Sequence, residues 1–353
     1  MAEKGGNAAV IERGQWMDLQ QKTKRFGFFV ILCACILRLF SAGAPDNLMR
    51  WLTDVNNVPF LKYLETGRNV RFSASVDVFL PHFRESPAPW IQDREKPRFT
   101  AEDAALVEVD YDCVLRPDLE ALLEKPLDWN LQQEEPTVLI LHTHTTESYT
   151  QAAGEYTETS AYRTLDEAYN MLSIGDAVAE ILMQAGIGVI HDRVIHDYPS
   201  YNGSYVHARS SLEVLLEQYP SVQLILDLHR DAVEVSGKQL RTKVETEDGV
   251  SAQLMFVVGT DASGLIHGQW EENLALAMKL HVQLQRLMPG IMRPLNLRAQ
   301  RFNQDLSKGA ILVEVGTAGN SHDEALAAAR ALAAAVAELA LGTENTQYAL
   351  RRE

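Results

Sequence analysis

The sequence predicts an α/β domain built on a mostly parallel sheet, and three observations carry that expectation. Three short runs, Thr137–Leu141, Val222–Leu226 and Ala310–Val313, are rich in Val, Ile and Leu and read as buried parallel strands. Segments of helical periodicity alternate with them. Each run also leads into a residue able to bind a metal or move a proton: His142 and His144, then His229, then Glu314. Open α/β sheets place their active sites at the carboxyl ends of their strands. Two His and one Glu with a further Glu form the inventory of a catalytic zinc hydrolase.

Taken in order, the chain begins with a basic stretch holding Lys22, Lys24 and Arg25. It is followed by an apolar run from Phe26 to Ala42 with a single interior charge, Arg38. The run is at the short end for a membrane span, and Arg38 lies where a long side chain can snorkel to the interface. The positive-inside rule puts the N-terminus in the cytoplasm. Small residues at Ser41–Ala44 would also suit a cleaved signal peptide, whereas the reading adopted is a retained anchor. Either way, residues 45–353 are expected outside the cytoplasm, and the retained anchor makes the expected protein a single-pass one of the cell membrane. The expected organisation is a basic tail (1–25), a transmembrane signal anchor (26–44), a juxtamembrane stalk or small domain (45–134), a catalytic domain (135–342) and a tail (343–353). Prolines at 81, 87, 89 and 97 interrupt any long helix in the stalk.

Beyond Pro136 the alternation is regular. Met171–Ala185 has helical spacing and stops at Gly186, and Gly188 opens a strand. Ser210–Gln218 reads as a helix, Leu254–Val258 as a strand closed by Gly259, and Glu271–Met288 as an amphipathic helix stopped by Pro289-Gly290. The last helix starts at Ser321 with a capping box to Glu324 and runs to Gly342. The 353 residues are 46% hydrophobic and 23% charged, ordinary for a globular protein. A net charge of −16 argues against a nucleic-acid binder, which would show a basic face. The three cysteines leave no disulfide framework, and none lies in the second half, so a metal there needs His and carboxylates.

Among the site candidates, His144 and Glu147 form an HxxE pair just past a strand end. If a turn starts there, both can face one ion. His142 then belongs to the shell behind the ligands or to the rim. His229 sits in an Asp-x-His-x-Asp string in which a flanking carboxylate can orient its ring. Asp231 is the candidate for that role or for substrate binding, and Arg230 for substrate binding. Glu314 ends an apolar strand, where burial raises a carboxyl pKa and suits a general base. Glu167, with Asp166, is a reserve carboxylate should Glu147 not be the ligand. His281 is read as a surface or packing residue; His191, His196, His207 and His267 fall in or near loops and are assigned nothing.

At these residues the chain resembles the stage II sporulation protein P family, membrane-anchored cell-wall hydrolases of endospore-forming bacteria. The matching strings are His142-Thr-His144-Thr-Thr-Glu147-Ser-Tyr149, Asn202-Gly-Ser-Tyr205, Asp227-Leu-His229-Arg-Asp231-Ala232, Phe256-Val-Val-Gly259, Asn303-Gln-Asp-Leu-Ser307 and Leu312-Val-Glu314-Val-Gly316. They span about 135–342, and their joint order is more specific than any one of them. The family is similar in turn to zinc-dependent N-acetylmuramoyl-L-alanine amidases, in which two His and a Glu hold zinc and a later Glu is catalytic. The resemblance implies an amidase-type (phosphorylase/hydrolase-like) fold, Zn2+ on His144, His229 and Glu147, and Glu314 as the catalytic base. General amidases place the ligand Glu ahead of a helix, which would point to Glu167. The implied activity is peptidoglycan hydrolysis at the lactyl amide, with cleavage of stem-peptide cross-links as a further one. The implied setting is engulfment beside stage II sporulation proteins D and M. A zinc carboxypeptidase, with Arg230 receiving a terminal carboxylate, and a metal-free wall-binding scaffold remain the alternatives.

Overall fold

The computed structural model describes residues 76–80, 96–152, 155, 157–246 and 249–341, all within a unit spanning Ala74–Glu353. The anchor expected at 26–44, the basic tail, the Gly342 stop and the C-terminal tail lie outside the described residues. Among the described residues no helix is long and apolar enough to cross a membrane.

The protein is mixed α/β around one eight-stranded sheet. Its strands are β1 (Val76–Phe79), β2 (Val109–Asp112), β3 (Val138–Leu141), β4 (Val189–Asp192), β5 (Leu224–Asp231), β6 (Leu254–Gly259), β7 (Leu295–Arg298) and β8 (Ala310–Thr317). The helices are α1 (Leu119–Glu124), α2 (Met171–Gln184), α3 (Ser204–Gln218), α4 (Trp270–Leu287) and α5 (His322–Leu341). Across the sheet the order is β1-β4-β3-β5-β8-β6-β7-β2. Most pairings are parallel; β1 runs against β4, and β6 runs against β8.

Because successive strand residues face opposite sides, the apolar runs serve two cores at once. Val138, Ile140, Leu224, Leu226, Ile311 and Val313 join the larger core under α2, α4 and α5. Leu139, Leu141, Ile225 and Ala310 face the other way and pack against Ala208, Leu212 and Leu215 of α3. The larger face therefore lies beneath three helices, and the smaller one beneath α3.

Several elements depart from the sequence expectation. β5 and β8 do not end before their chemical residues; they continue through His229 and Glu314, because the two strands keep pairing as far as Asp231 and Thr317. α3 starts at Ser204, six residues earlier than its hydrophobic spacing indicates, behind a left-handed Gly203 (φ 95°). The described residues of the segment assigned to a stalk belong with the sheet: β1 and β2 form its two edges, and α1 docks on α4 through the Lys279 ammonium, which donates to the carbonyls of Leu122 and Leu123. These edge strands alternate apolar and polar residues, but each is only four residues long and lies far in sequence from the strand it joins. The capping box at Ser321 and Glu324 is present in both directions.

Gly175 of α2 marks the tightest approach of a helix to the sheet. A Cβ there would fall 2.4 Å from His191 Nε2 and 2.7 Å from His142 Nε2. In an open helix Gly→Ala gains about 1 kcal/mol. Here it must separate two buried rings, and overpacking costs roughly 1–3 kcal/mol. The clash outweighs the propensity gain, so Gly175→Ala is expected to lower the melting temperature of the chain; a raised one would mean that the rings yield freely.

Candidate active site

The site grows from the place where β3 stops and β5 does not. Leu141 is the last β3 residue paired to β5, opposite Asp227. A turn follows, closed by the Glu147 N–H donating to the His144 carbonyl at 3.1 Å. The turn swings His144 out of the strand's alternation and onto the α3 face of the sheet, where Asp227 and His229 of β5 project two residues apart. Glu314 of β8 lies in register beside His229 and so shares that face. His144 and His229 stand edge to face with ring centroids 5.2 Å apart. His229 Nδ1 is 3.7 Å from Glu147 Oε2. The structure thus brings His144, Glu147, His229 and Glu314 together.

All four are shielded from water to a degree that alters their charge. Burial pushes the Glu314 carboxyl up to about 8, and nearby Glu147 and Asp231 push the same way against His229 and Arg230. Burial also drives His144 down to about 4, so its ring is neutral. For His229 burial acts downward, but Asp227 beside it, then Glu147 and Glu314, outweigh it and lift the ring to about 9. Glu147 is held below the ordinary carboxylate range: burial acts upward but is overcome by Arg230 first, then His229, His144 and Arg163.

Three expected site residues lie elsewhere or act differently. His142 is neither on the rim nor behind His144. Strand alternation turns it to the opposite face, where its Nδ1 meets the Leu228 carbonyl at 3.2 Å and its Nε2 meets His191 Nε2 at 2.8 Å. Asp231 does not orient His229; Arg293 draws it away at 2.8 Å, and Asp227 is the carboxylate beside the ring, 3.0 Å from Nε2. Arg230 is buried and turned inward. Its Nε and Nη2 donate to the carbonyls of Ser148 and Tyr162, and its Nη1 lies 3.8 Å from Glu147 Oε1, so its guanidinium is directed at the protein itself. Glu167 sits in a surface ion pair with Arg193 at 2.9 Å, away from both ligand-type histidines.

Other participants were not singled out by residue type alone. Arg163, from an exposed hairpin, bonds Glu147 at 3.2 Å and Asp197 at 2.6 Å, with its guanidinium over the Tyr201 ring. Tyr201 stacks on His144 at 4.4 Å and its hydroxyl lies 3.1 Å from His144 Nε2. His191, assigned to a loop, is a strand residue bonded to Asp176 at 3.0 Å. Arg163 has no local signal, being an Arg in a polar segment. Asp227 stood in the quoted string, and its i, i+2 spacing to His229 was the available clue.

The donor set suits zinc in kind. Two imidazoles and a carboxylate are the ligands of an open catalytic site, and the buried His144 Nδ1 has no hydrogen-bond partner. Among the described residues, no three His, Cys, Asp or Glu side chains converge as a coordination shell. In this arrangement Glu147 is engaged by Arg163 and by the Arg230 N–H.

The fold and site define an α/β protein with a buried His-His-Glu-Glu cluster at the carboxyl ends of central strands. The family model for Stage II sporulation protein P matches residues 87–337, and the chain belongs to that family. The Stage II sporulation protein P of Bacillus subtilis (strain 168) is 28% identical over 228 residues, covering 61% of this chain and 54% of the relative. The chain thus spans about half the length of that relative. Solved structures with similarity include the N-acetylmuramoyl-L-alanine amidase AmiC2 of Nostoc punctiforme, 16% identical, covering 61% of this chain and 98% of that one, TM-score 0.35. Another is the N-acetylmuramyl-L-alanine amidase Ami1 from Mycobacterium smegmatis, 12% identical, covering 60% and 99%, TM-score 0.37. A third is the CwlD amidase from Clostridioides difficile in complex with the GerS lipoprotein, 11% identical, covering 60% and 99%, TM-score 0.36.

The high Glu314 pKa has a thermodynamic consequence in metal-free protein. Folded Glu314 keeps its proton up to about 8, whereas an ordinary glutamate releases it near 4.5. Between those values the folded state binds more protons than the unfolded one, so this group lowers stability as pH rises. Glu314→Gln cannot titrate. Its denaturation midpoint is expected to gain on the parent's between pH 5 and pH 8, and a difference independent of pH would show that Glu314 ionises normally.

Proposed function

We propose that the chain is a zinc-dependent peptidoglycan hydrolase that cleaves the amide between N-acetylmuramic acid and L-alanine during sporulation. The observation that supports this reading most is the register pairing of Glu314 with His229, which puts a carboxyl of pKa about 8 beside the ligand-type histidines. Family membership supports the sporulation setting. His144, His229 and Glu147 would hold the metal, which when bound supplies a positive charge and a water that ionises near neutral pH. Ionised once a cation is held beside it, Glu314 takes a proton from the attacking water as its oxygen bonds the amide carbon. The same carboxyl then delivers that proton to the departing nitrogen as the C–N bond breaks. Asp227 holds the His229 ring, and Arg163 and Arg230 fix Glu147 in place.

Cleavage of stem-peptide cross-links, action at engulfment beside stage II sporulation proteins D and M, and a membrane anchor at 26–44 belong to the same proposal. The inward commitment of Arg230 counts against the carboxypeptidase alternative, which needs an arginine for a terminal carboxylate. A metal-free scaffold would not call for a strand carboxyl held at so high a pKa.

The ligand assignment is tested by metal analysis. The parent chain is expected to bind about one zinc, His144→Ala and His229→Ala to lose it, and Glu147→Ala to weaken it while Glu167→Ala does not. Full occupancy in both histidine variants would remove the metal site. For the base, Glu314→Gln is expected to keep zinc and lose roughly 100- to 10,000-fold in amide hydrolysis on intact muropeptides. Near-normal turnover in a zinc-loaded Glu314→Gln protein would refute the mechanism, and release of single terminal amino acids would favour the carboxypeptidase. A reporter fused after Glu353 is expected outside the cytoplasm, and cytoplasmic signal alone would contradict the anchor.

A further inference from the structure

Facing the sheet across the site is an aromatic residue that the mechanism above does not use. Tyr205 is the second residue of α3, placed there by the left-handed turn at Gly203. Its ring stands edge-on to His144 at 5.6 Å, with an interplanar angle of 88°, and lies over His229 at 6.4 Å and 18°. A second turn holds it from behind. Phe302 and Asn303 are consecutive non-glycine residues with φ of 51° and 60°, a costly backbone for such side chains and one that clusters at functional sites. Their side chains bear on Tyr205: the Asn303 amide donates to its carbonyl at 2.8 Å, and the Phe302 ring packs against it at 5.9 Å.

The hydroxyl is uncommitted. Tyr205 is half-buried, and among the described residues no protein group accepts from its Oη, so the donor is open to a substrate. The fully buried Tyr149 differs, donating to the Val315 carbonyl at 2.9 Å. A phenol is a neutral O–H donor at ordinary pH. An unengaged donor beside two imidazoles and a general base suits an acceptor that gains negative charge at that spot.

We propose that Tyr205 is a further catalytic residue, whose Oη–H donates to the carbonyl oxygen of the scissile amide and holds the oxyanion as it forms. The inference rests on the hydrolase reading above. As the water oxygen bonds the carbonyl carbon, the π pair moves onto the carbonyl oxygen, and the phenolic hydrogen bond strengthens without proton transfer. When the pair returns, the C–N bond breaks, and the nitrogen leaves with the proton carried by Glu314. The donor acts on charge that is absent from the ground state, so it lowers the barrier and leaves substrate affinity largely alone.

Tyr205→Phe in the full chain isolates the hydroxyl, because the ring contacts with both histidines remain. Loss of one such donor lowers kcat by about 100- to 1,000-fold. The variant is expected to show that loss on intact muropeptides with KM changed by less than about threefold, and with zinc content and melting temperature equal to the parent's. An inert phosphinate analogue of the tetrahedral state, titrated by calorimetry, is expected to bind the variant more weakly by a similar factor, while the muramic acid product binds both equally. Unchanged kcat in Tyr205→Phe, with Glu314→Gln inactive, overturns the donor role and leaves the hydrolase reading intact. Lost zinc or a lowered melting temperature overturns it in favour of a structural role, as does a loss confined to KM. A parent chain as inactive as Glu314→Gln overturns the hydrolase reading, and the donor role falls with it.

Discussion

Where β3 stops at Leu141, β5 runs on for four more residues, and the groups along its exposed side need partners. Unpaired backbone polar groups in a buried position cost about as much as a lost hydrogen bond. The segment just past β3 continues the ladder with side chains instead of backbone. His142 meets the Leu228 carbonyl, and Glu147 accepts from the Arg230 N–H. Between them, the Asp227 carboxylate takes both the N–H and the hydroxyl of Thr143. The turn that carries His144 and Glu147 is thereby stitched to the strand that carries His229. The site exists because one strand is shorter than its neighbour.

The stitching also explains why two histidines only two positions apart do different work. His142 follows the strand's alternation onto the face covered by α2, and the turn removes His144 from it. A carbonyl can only accept, so the His142 hydrogen sits on Nδ1 and its Nε2 accepts from His191. Burial first, then His191, keeps the His142 ring neutral down to about pH 3. Behind it, His191 leans on Asp176, and Asp176 on Arg193 at 2.6 Å. A polar chain thus runs from the back of the site to the surface, through a gap that a glycine in α2 leaves open.

The fold's centre was legible because buried strands write themselves as apolar runs, and the helices around them as periodic ones. The ends of those strands were harder to read. Asp227, His229 and Glu314 are polar, and a reading based on hydrophobicity stops before them although the hydrogen bonds do not. The edges went unread although they alternate: Val109–Asp112 lies in the apolar–polar run Val107–Cys113, and Val76–Phe79 begins in the same way, but each is only four residues long in an acidic or proline-rich context. The string HTHTTE pointed to His144 and Glu147 by spacing, and the turn supplies the geometry that spacing assumed. Which carboxylate attends His229 was misread because Asp227 and Asp231 are equivalent in a repeat of two. Only the tertiary pull of Arg293 separates them. Arg163 could not be foreseen, since its role comes from a hairpin folding back over the site.

Both rims of the sheet come from residues that precede the first central strand. The β2–β7 junction joins groups very far apart in the chain, as in the contact between Asn296 and Asp112, 184 residues away. Loops of that length close late and slowly. A chain emerging from a ribosome would present these edge strands early; β1 must wait for β4, and β2 for β7, when most of the domain has followed. Until then β7 and β4 stand as open edges, the kind of surface that pairs with other copies. Assembly of this domain is therefore gated by an early strand, β2, waiting for a late one, β7, and the concentration of incomplete chains sets how often either pairs with the wrong copy.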